Sequence, residues 1–218
     1  MCWWSTVAGS PAEFSSTLRQ ARVVGVLRAG SAETAYQAAQ AAVNAGLKMI
    51  EFTFTTPQVT RVIERFRAGQ PGVPVGAGTV MNAGQASEAI NAGAQFLVSP
   101  HLGEDIQEVA LQRGIPYIPG VLSPTEIMRA LALGVPVIKL FPAGSAGGAA
   151  YLKDLLGPFP DLKIMVTGGI KPVEVGHYLQ AGALAVGLGS QLFPRQSLQD
   201  GDWNAVKAAT AHALLESQ

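Results

Sequence analysis

The sequence is short of cysteine, of charge and of long apolar runs, and each shortage excludes something. One Cys in 218 residues, Cys2, cannot close an internal disulfide or supply a Cys-based metal site, which fits a reducing, cytoplasmic setting. Charged residues make up 14% of the chain, and 15 Lys and Arg balance 15 Asp and Glu, so the basic footprint of a nucleic-acid binder is missing. No apolar run approaches the roughly 18 residues of a membrane span, because Lys139, Gly or Pro interrupts the longest candidates. The opening Met1-Cys2-Trp3-Trp4-Ser5 lacks the positive segment and long apolar stretch of a secretion signal. Cys2 is read as incidental, and Trp3 and Trp4 as packing residues. Metal ligation has little support: His101, His177 and His212 show no ligand spacing, and only His101, after Ser99-Pro100, falls where a strand should end. The expected partner is a small molecule or another copy of the chain, with no nucleic acid and no membrane.

What is present is a rhythm. Short, continuously apolar runs near residues 23–27, 48–54, 73–77, 95–99, 115–118, 135–140, 163–167 and 184–188 have the character of parallel strands buried on both faces. Between and after them lie helix-like segments near 31–45, 57–68, 83–92, 103–113, 123–133, 148–156, 171–181 and 203–217, with an extra one near 11–20. Gly46, Gly93, Gly134 and Gly182 stand where helices should stop; Ser31, Thr56-Pro57, Ser123-Pro124-Thr125-Glu126 and Lys171-Pro172 stand where helices should start. Eight evenly spaced units predict a TIM (β/α)8 barrel, one α/β domain over 1–218 with a short additional N-terminal helix. An open doubly wound sheet is the alternative. It is less well supported because no Gly-x-Gly-x-x-Gly follows the first strand.

A barrel carries its chemistry at the C-terminal ends of its strands, which here supply Arg28, Glu51, Thr53, Thr55, Thr79, Ser99, Lys139, Thr167 and Ser190. Lys139 lies in the run Val135-Pro136-Val137-Ile138-Lys139-Leu140-Phe141-Pro142, near the end of an apolar strand. An ammonium there either finds a partner at the mouth or loses its proton and becomes a nucleophile able to form a Schiff base. Glu51, in Met49-Ile50-Glu51-Phe52-Thr53-Phe54, is either a salt-bridge partner or a proton shuttle whose pKa burial raises. Together they are the minimum set for imine formation and proton transfer. Two glycine turns, Thr167-Gly168-Gly169-Ile170 and Gly187-Leu188-Gly189-Ser190, follow the seventh and eighth strands. Backbone N–H groups commonly hold a phosphate in those positions, and the Ser190 hydroxyl adds a donor. A phosphorylated small molecule is expected.

These residues resemble a known family. Glu51-x-Thr53, Gly76-Ala77-Gly78-Thr79-Val80, Ser99-Pro100, Val137-Ile138-Lys139-Leu140-Phe141-Pro142-Ala143, Thr167-Gly168-Gly169-Ile170 and Gly189-Ser190 resemble the 2-keto-3-deoxy-6-phosphogluconate aldolases, also active as 4-hydroxy-2-oxoglutarate aldolases, over about residues 20–215. The resemblance implies a metal-free, cofactor-free class I aldolase on a trimeric barrel. It implies that Lys139 forms the Schiff base with pyruvate and that Glu51 transfers protons through water. Thr79, Pro100 and Phe141 would line the pyruvyl pocket, and Gly168, Gly169 and Ser190 would hold the 6-phosphate. Thr167 favours the gluconate substrate over the galactonate one. One position departs. The family reads Glu-Val-Thr-Leu-Arg-Thr where this chain has Glu51-Phe52-Thr53-Phe54-Thr55-Thr56, so Thr55 replaces the arginine expected to help hold the pyruvate carboxylate. Arg28, after Val24-Gly25-Val26-Leu27, is the expected substitute. Oxaloacetate decarboxylation through the same imine and non-catalytic phosphosugar binding are the alternatives.

Overall fold

The apolar runs become one parallel sheet. The computed structural model describes residues 11–218, so Cys2, Trp3 and Trp4 lie outside the described residues. Its strands are β1 (Val23–Leu27), β2 (Ile50–Thr53), β3 (Val75–Gly78), β4 (Leu97–Val98), β5 (Tyr117–Ile118), β6 (Gly120–Val121), β7 (Ile138–Leu140), β8 (Ile164–Thr167) and β9 (Ala185–Leu188). They pair in the order β5-β4-β3-β2-β1-β9-β8-β7-β6. β5 and β6 are two parts of one barrel strand, split at Pro119, which has no N–H to give to a ladder. Its carbonyl still accepts from the Lys139 N–H at 2.8 Å. The strand expected over 115–118 therefore continues to Val121, and the ring of eight staves closes through Tyr117–Val121 as a nearly complete (β/α)8 barrel.

The helices are α1 (Pro11–Ala21), α2 (Ala32–Asn44), α3 (Val59–Gly69), α4 (Ala83–Asn91), α5 (Glu104–Arg113), α6 (Pro124–Ala132), α7 (Gly148–Leu156), α8 (Val175–Gln180), α9 (Arg195–Asp200) and α10 (Trp203–Leu215). α9 has the polar sequence RQSLQD and no apolar period, which is why the sequence pattern passes over it. The expected helix over 171–181 divides into a 3-10 turn, Pro172–Glu174, and α8.

Caps follow the expected chemistry in two places. The Ser31 Oγ accepts from the Thr34 N–H at 3.1 Å, and Ser123 and Glu126 form a reciprocal capping box. Accepting N–H groups from Leu122 and Ser123 holds the Glu126 carboxyl below the usual carboxylate range. Thr56 does not start α3. It is buried, and its hydroxyl accepts from the Ala29 N–H at 3.1 Å, tying the end of β1 to the loop after β2.

Two cores result. The larger lies between strands and helices. The smaller fills the N-terminal end of the barrel with Met49, Phe96, Val137, Met165 and Leu184, and α1 plugs that end with Phe14, Leu18 and Ala21. Removing the plug should destabilise the barrel. Leu18→Ala, at a fully buried site, is expected to cost about 3 kcal/mol in urea unfolding, whereas its exposed neighbour Thr17→Ala should change stability by less than about 0.5 kcal/mol.

Candidate active site

Strand register decides what meets inside the barrel. Glu51 on β2 has Val26 and Gly76 as its neighbours in the ladder, and Lys139 on β7 has Gly120 and Met165. β2 is the second stave and β7 the sixth, so the two residues stand on opposite walls of an eight-stave ring. Each lies two residues beyond an inward-facing core residue, Met49 and Val137, and the period of a strand turns both side chains inward.

Glycine makes the room. A Cβ at Gly78 would lie 2.5 Å from the Glu51 Oε1, and one at Gly187 would lie 2.4 Å from the Thr167 Oγ1. A Cβ at Gly120 would strike the Pro100 carbonyl at 2.3 Å. The interior at this height is thus furnished with Glu51, Thr167 and the Pro100 backbone because neighbouring staves carry no side chain there.

The charges are buried without direct neutralisation. Glu51 is 1% exposed and Lys139 5%, and they form no ion pair with each other; the ion pairs among the described residues lie at the surface. Both Glu51 carboxyl oxygens and the Thr167 hydroxyl lack a hydrogen-bond partner. Burial raises the Glu51 carboxyl above the usual range, opposed by the Lys139 charge. Burial lowers the Lys139 amine, with Glu51 raising it and Arg28 lowering it further. The Lys139 Nζ lies 4.8 Å from the centroid of the Phe141 ring. A lysine amine lowered and a glutamate carboxyl raised from their ordinary ranges, on opposite walls of the barrel, are suited to attack a carbonyl and move a proton beside it.

The remaining predicted residues surround this pair. Thr79 follows β3 with φ 55°, a left-handed conformation that costs a β-branched residue energy and is commonly kept at functional sites. Pro100 is held by a network that sequence reasoning did not foresee. The Ser99 hydroxyl bonds to the His101 carbonyl and, at 2.5 Å, to the Tyr117 hydroxyl, which also receives the Gly103 N–H at 3.0 Å. Ser99, a polar residue at a strand end, is therefore a brace for the loop. The His101 Nδ1 has no partner, and among the described residues no group of three His, Cys, Asp or Glu gathers to hold a metal.

Phe141 packs where a Cβ at Gly168 would meet its ring at 3.0 Å, and the Gly144 N–H donates to the Gly168 carbonyl at 2.8 Å. The loop after β7 is thereby fastened to the turn after β8, with Gly168 at φ 98° and Gly169 at φ 72°. Gly189 and Ser190 follow β9 and line a groove with Val26, Arg28 and Thr55. The Arg28 Nε donates to the Thr55 Oγ1 at 2.8 Å, and Thr55 and Thr53 share a hydrogen bond of 2.7 Å. Thr55 holds the Arg28 guanidinium, whose charge adds to the lowering of the Lys139 pKa.

A closed parallel barrel with a desolvated lysine opposite a desolvated acid defines a site of the imine-forming kind. The family model described as KDPG and KHG aldolase matches residues 14–209, and the chain belongs to that family. It is 36% identical over 197 residues to the 2-dehydro-3-deoxy-phosphogluconate aldolase of Treponema pallidum, covering 90% of this chain and 94% of the relative. It is 34% identical over 211 residues to the KHG/KDPG aldolase of Escherichia coli, covering 97% and 96%. Among solved structures, the KDPG aldolase of Legionella pneumophila, with pyruvate captured as a covalent carbinolamine intermediate, superposes with a TM-score of 0.86 at 31% identity, covering 96% of this chain and 99% of that one.

The raised Glu51 pKa depends on the space at Gly78. Infrared titration of the Glu51 carboxyl, identified by its loss in Glu51→Gln, should give a midpoint above the ordinary glutamate range. Gly78→Ala, whose Cβ would lie 2.5 Å from the Glu51 Oε1, should displace the carboxyl and shift that midpoint; an unmoved midpoint contradicts this account.

Proposed function

We propose that this chain is a class I, Schiff-base aldolase. It cleaves 2-keto-3-deoxy-6-phosphogluconate to pyruvate and glyceraldehyde 3-phosphate, and 4-hydroxy-2-oxoglutarate to pyruvate and glyoxylate. The observation that carries this reading is the buried Lys139 facing the buried, unpartnered Glu51 carboxyl.

The neutral Lys139 amine attacks the C2 ketone, and loss of water from the carbinolamine leaves an iminium. As the C3–C4 bond breaks, its electron pair moves into the iminium to form the enamine of pyruvate. Glu51 takes the C4 hydroxyl proton through a water, and the aldehyde departs. The same carboxyl returns a proton to C3, and hydrolysis frees pyruvate and the lysine. Glu51 alternates between base and acid, a task suited to a carboxyl whose pKa burial has raised.

Arg28, oriented by Thr55, binds the pyruvate carboxylate, with Thr79, Pro100 and Phe141 around the pyruvyl group. Gly168, Gly169, Gly189 and Ser190 hold the phosphate, and Thr167, whose buried hydroxyl has no partner, faces the substrate between the two anionic ends. Exposed apolar Leu122, Met128 and Leu131 on and beside α6 support self-association, for which the family resemblance implies a homotrimer. No described helix is long and apolar enough to cross a membrane, and the single cysteine supports a cytoplasmic enzyme.

Pyruvate release from 2-keto-3-deoxy-6-phosphogluconate is the direct assay. Lys139→Ala should abolish it while circular dichroism stays native, and retained turnover sinks the mechanism. Because Thr55 departs from the family arginine, oxaloacetate should be assayed beside it; a faster decarboxylation than aldol cleavage would reassign the substrate. Arg28→Ala should raise the pyruvate concentration needed for half-saturation about tenfold or more. With the parent chain, the rate of imine formation should rise with pH as Lys139 loses its proton, with a midpoint below the ordinary lysine range.

A further inference from the structure

Beside the barrel mouth a groove of about 770 Å³ runs between the loop after β1 and the segment from β9 through α9. Val26 joins it to the interior, since the Val26 Cγ2 and the Thr167 Oγ1 both border the space that a Cβ at Gly187 would take. Its walls hold two guanidinium groups, Arg28 and Arg195, and the hydroxyl of Ser190, and none of its lining residues is acidic. The nearest carboxylates are engaged elsewhere. Glu33 on α2 accepts from Gln37 and Arg65, and Asp200 at the end of α9 accepts from Gln196.

The two arginines are not equivalent. Arg28 is tied to Thr55, toward β2. Arg195 has no hydrogen bond or ion pair among the described residues, and it lines the groove on the β9 side with Ser190. The glycine turns offer a phosphate only neutral donors, namely backbone N–H groups and one hydroxyl. A phosphate group carrying close to two negative charges gains from a cation at that end, and a free guanidinium presents paired donors that match phosphate oxygens.

We propose that Arg195 recognises the distal phosphate of the substrate and sets the preference for phosphorylated over unphosphorylated keto acids, while Arg28 serves the carboxylate end. This rests on the aldolase reading above. The chemical class recognised is the phosphate monoester of a keto sugar acid, with inorganic phosphate as its minimal probe.

The test compares the parent chain with Arg195→Ala, Arg195→Lys and Lys171→Ala on 2-keto-3-deoxy-6-phosphogluconate and on its dephosphorylated counterpart. Lys171 is a basic residue in the turn after β8 that does not line the groove, and it controls for general surface charge. Arg195→Ala should raise KM for the phosphorylated substrate about tenfold or more, with kcat within about twofold and KM for the dephosphorylated substrate unchanged. Competitive inhibition by inorganic phosphate should weaken in parallel, and Arg195→Lys should recover part of the loss. The proposal is overturned if both substrates shift equally, if neither shifts, or if Lys171→Ala has the same effect as Arg195→Ala. A parent chain that cleaves neither substrate would instead overturn the aldolase reading, and the role of Arg195 with it.

Discussion

The structure depends on one costly arrangement: an amine and a carboxyl buried on opposite walls of a barrel, with no ion pair between them and no hydrogen-bond partner for the carboxyl. Burial opposes either charge, raising the Glu51 carboxyl and lowering the Lys139 amine from their ordinary ranges, while each charge partly offsets the shift of the other. The surroundings are built to hold that state. Gly78 and Gly187 withdraw side chains from the walls so that Glu51 and Thr167 can occupy the interior, and α1 closes the far end with Phe14 and Leu18. Loss of closure would wet the site and return both groups to ordinary titration.

The rim of the site carries a guanidinium next to this buried pair. Where the sequence reading expects an arginine at position 55, Arg28 after β1 brings a guanidinium, with Thr55 accepting its Nε–H and Thr53 completing the chain. Thr55 holds the Arg28 side chain in place, so the two residues are positioned as one unit. The position of Arg28 also adds to the lowering of the Lys139 pKa, so under the proposed function carboxylate capture and activation of the nucleophile share a residue.

Much of this was legible in the sequence because it rests on period and punctuation. Continuous apolar runs marked the strands, and Gly46, Gly93, Gly134 and Gly182, all observed at positive φ, marked the helix ends. Lys139 and Glu51 stood out as isolated charges in apolar strands, and strand parity then carried both inward. What escaped depended on three-dimensional neighbours. Pro119 splits the fifth stave without ending it. The Thr56 hydroxyl caps the end of β1 where a helix start was expected. The Ser99–Tyr117–His101 brace joins residues from two staves, and α9 lacks any apolar period. None of these follows from local spacing.

Intact-mass analysis after incubation with pyruvate and borohydride tests the central claim most directly, with the parent chain compared against Lys139→Ala. The account predicts a single reduced pyruvate adduct on the parent, mapping to the peptide that contains Lys139, and no adduct on the variant. A parent chain that remains unmodified while folded, or an adduct that persists in Lys139→Ala, would contradict it.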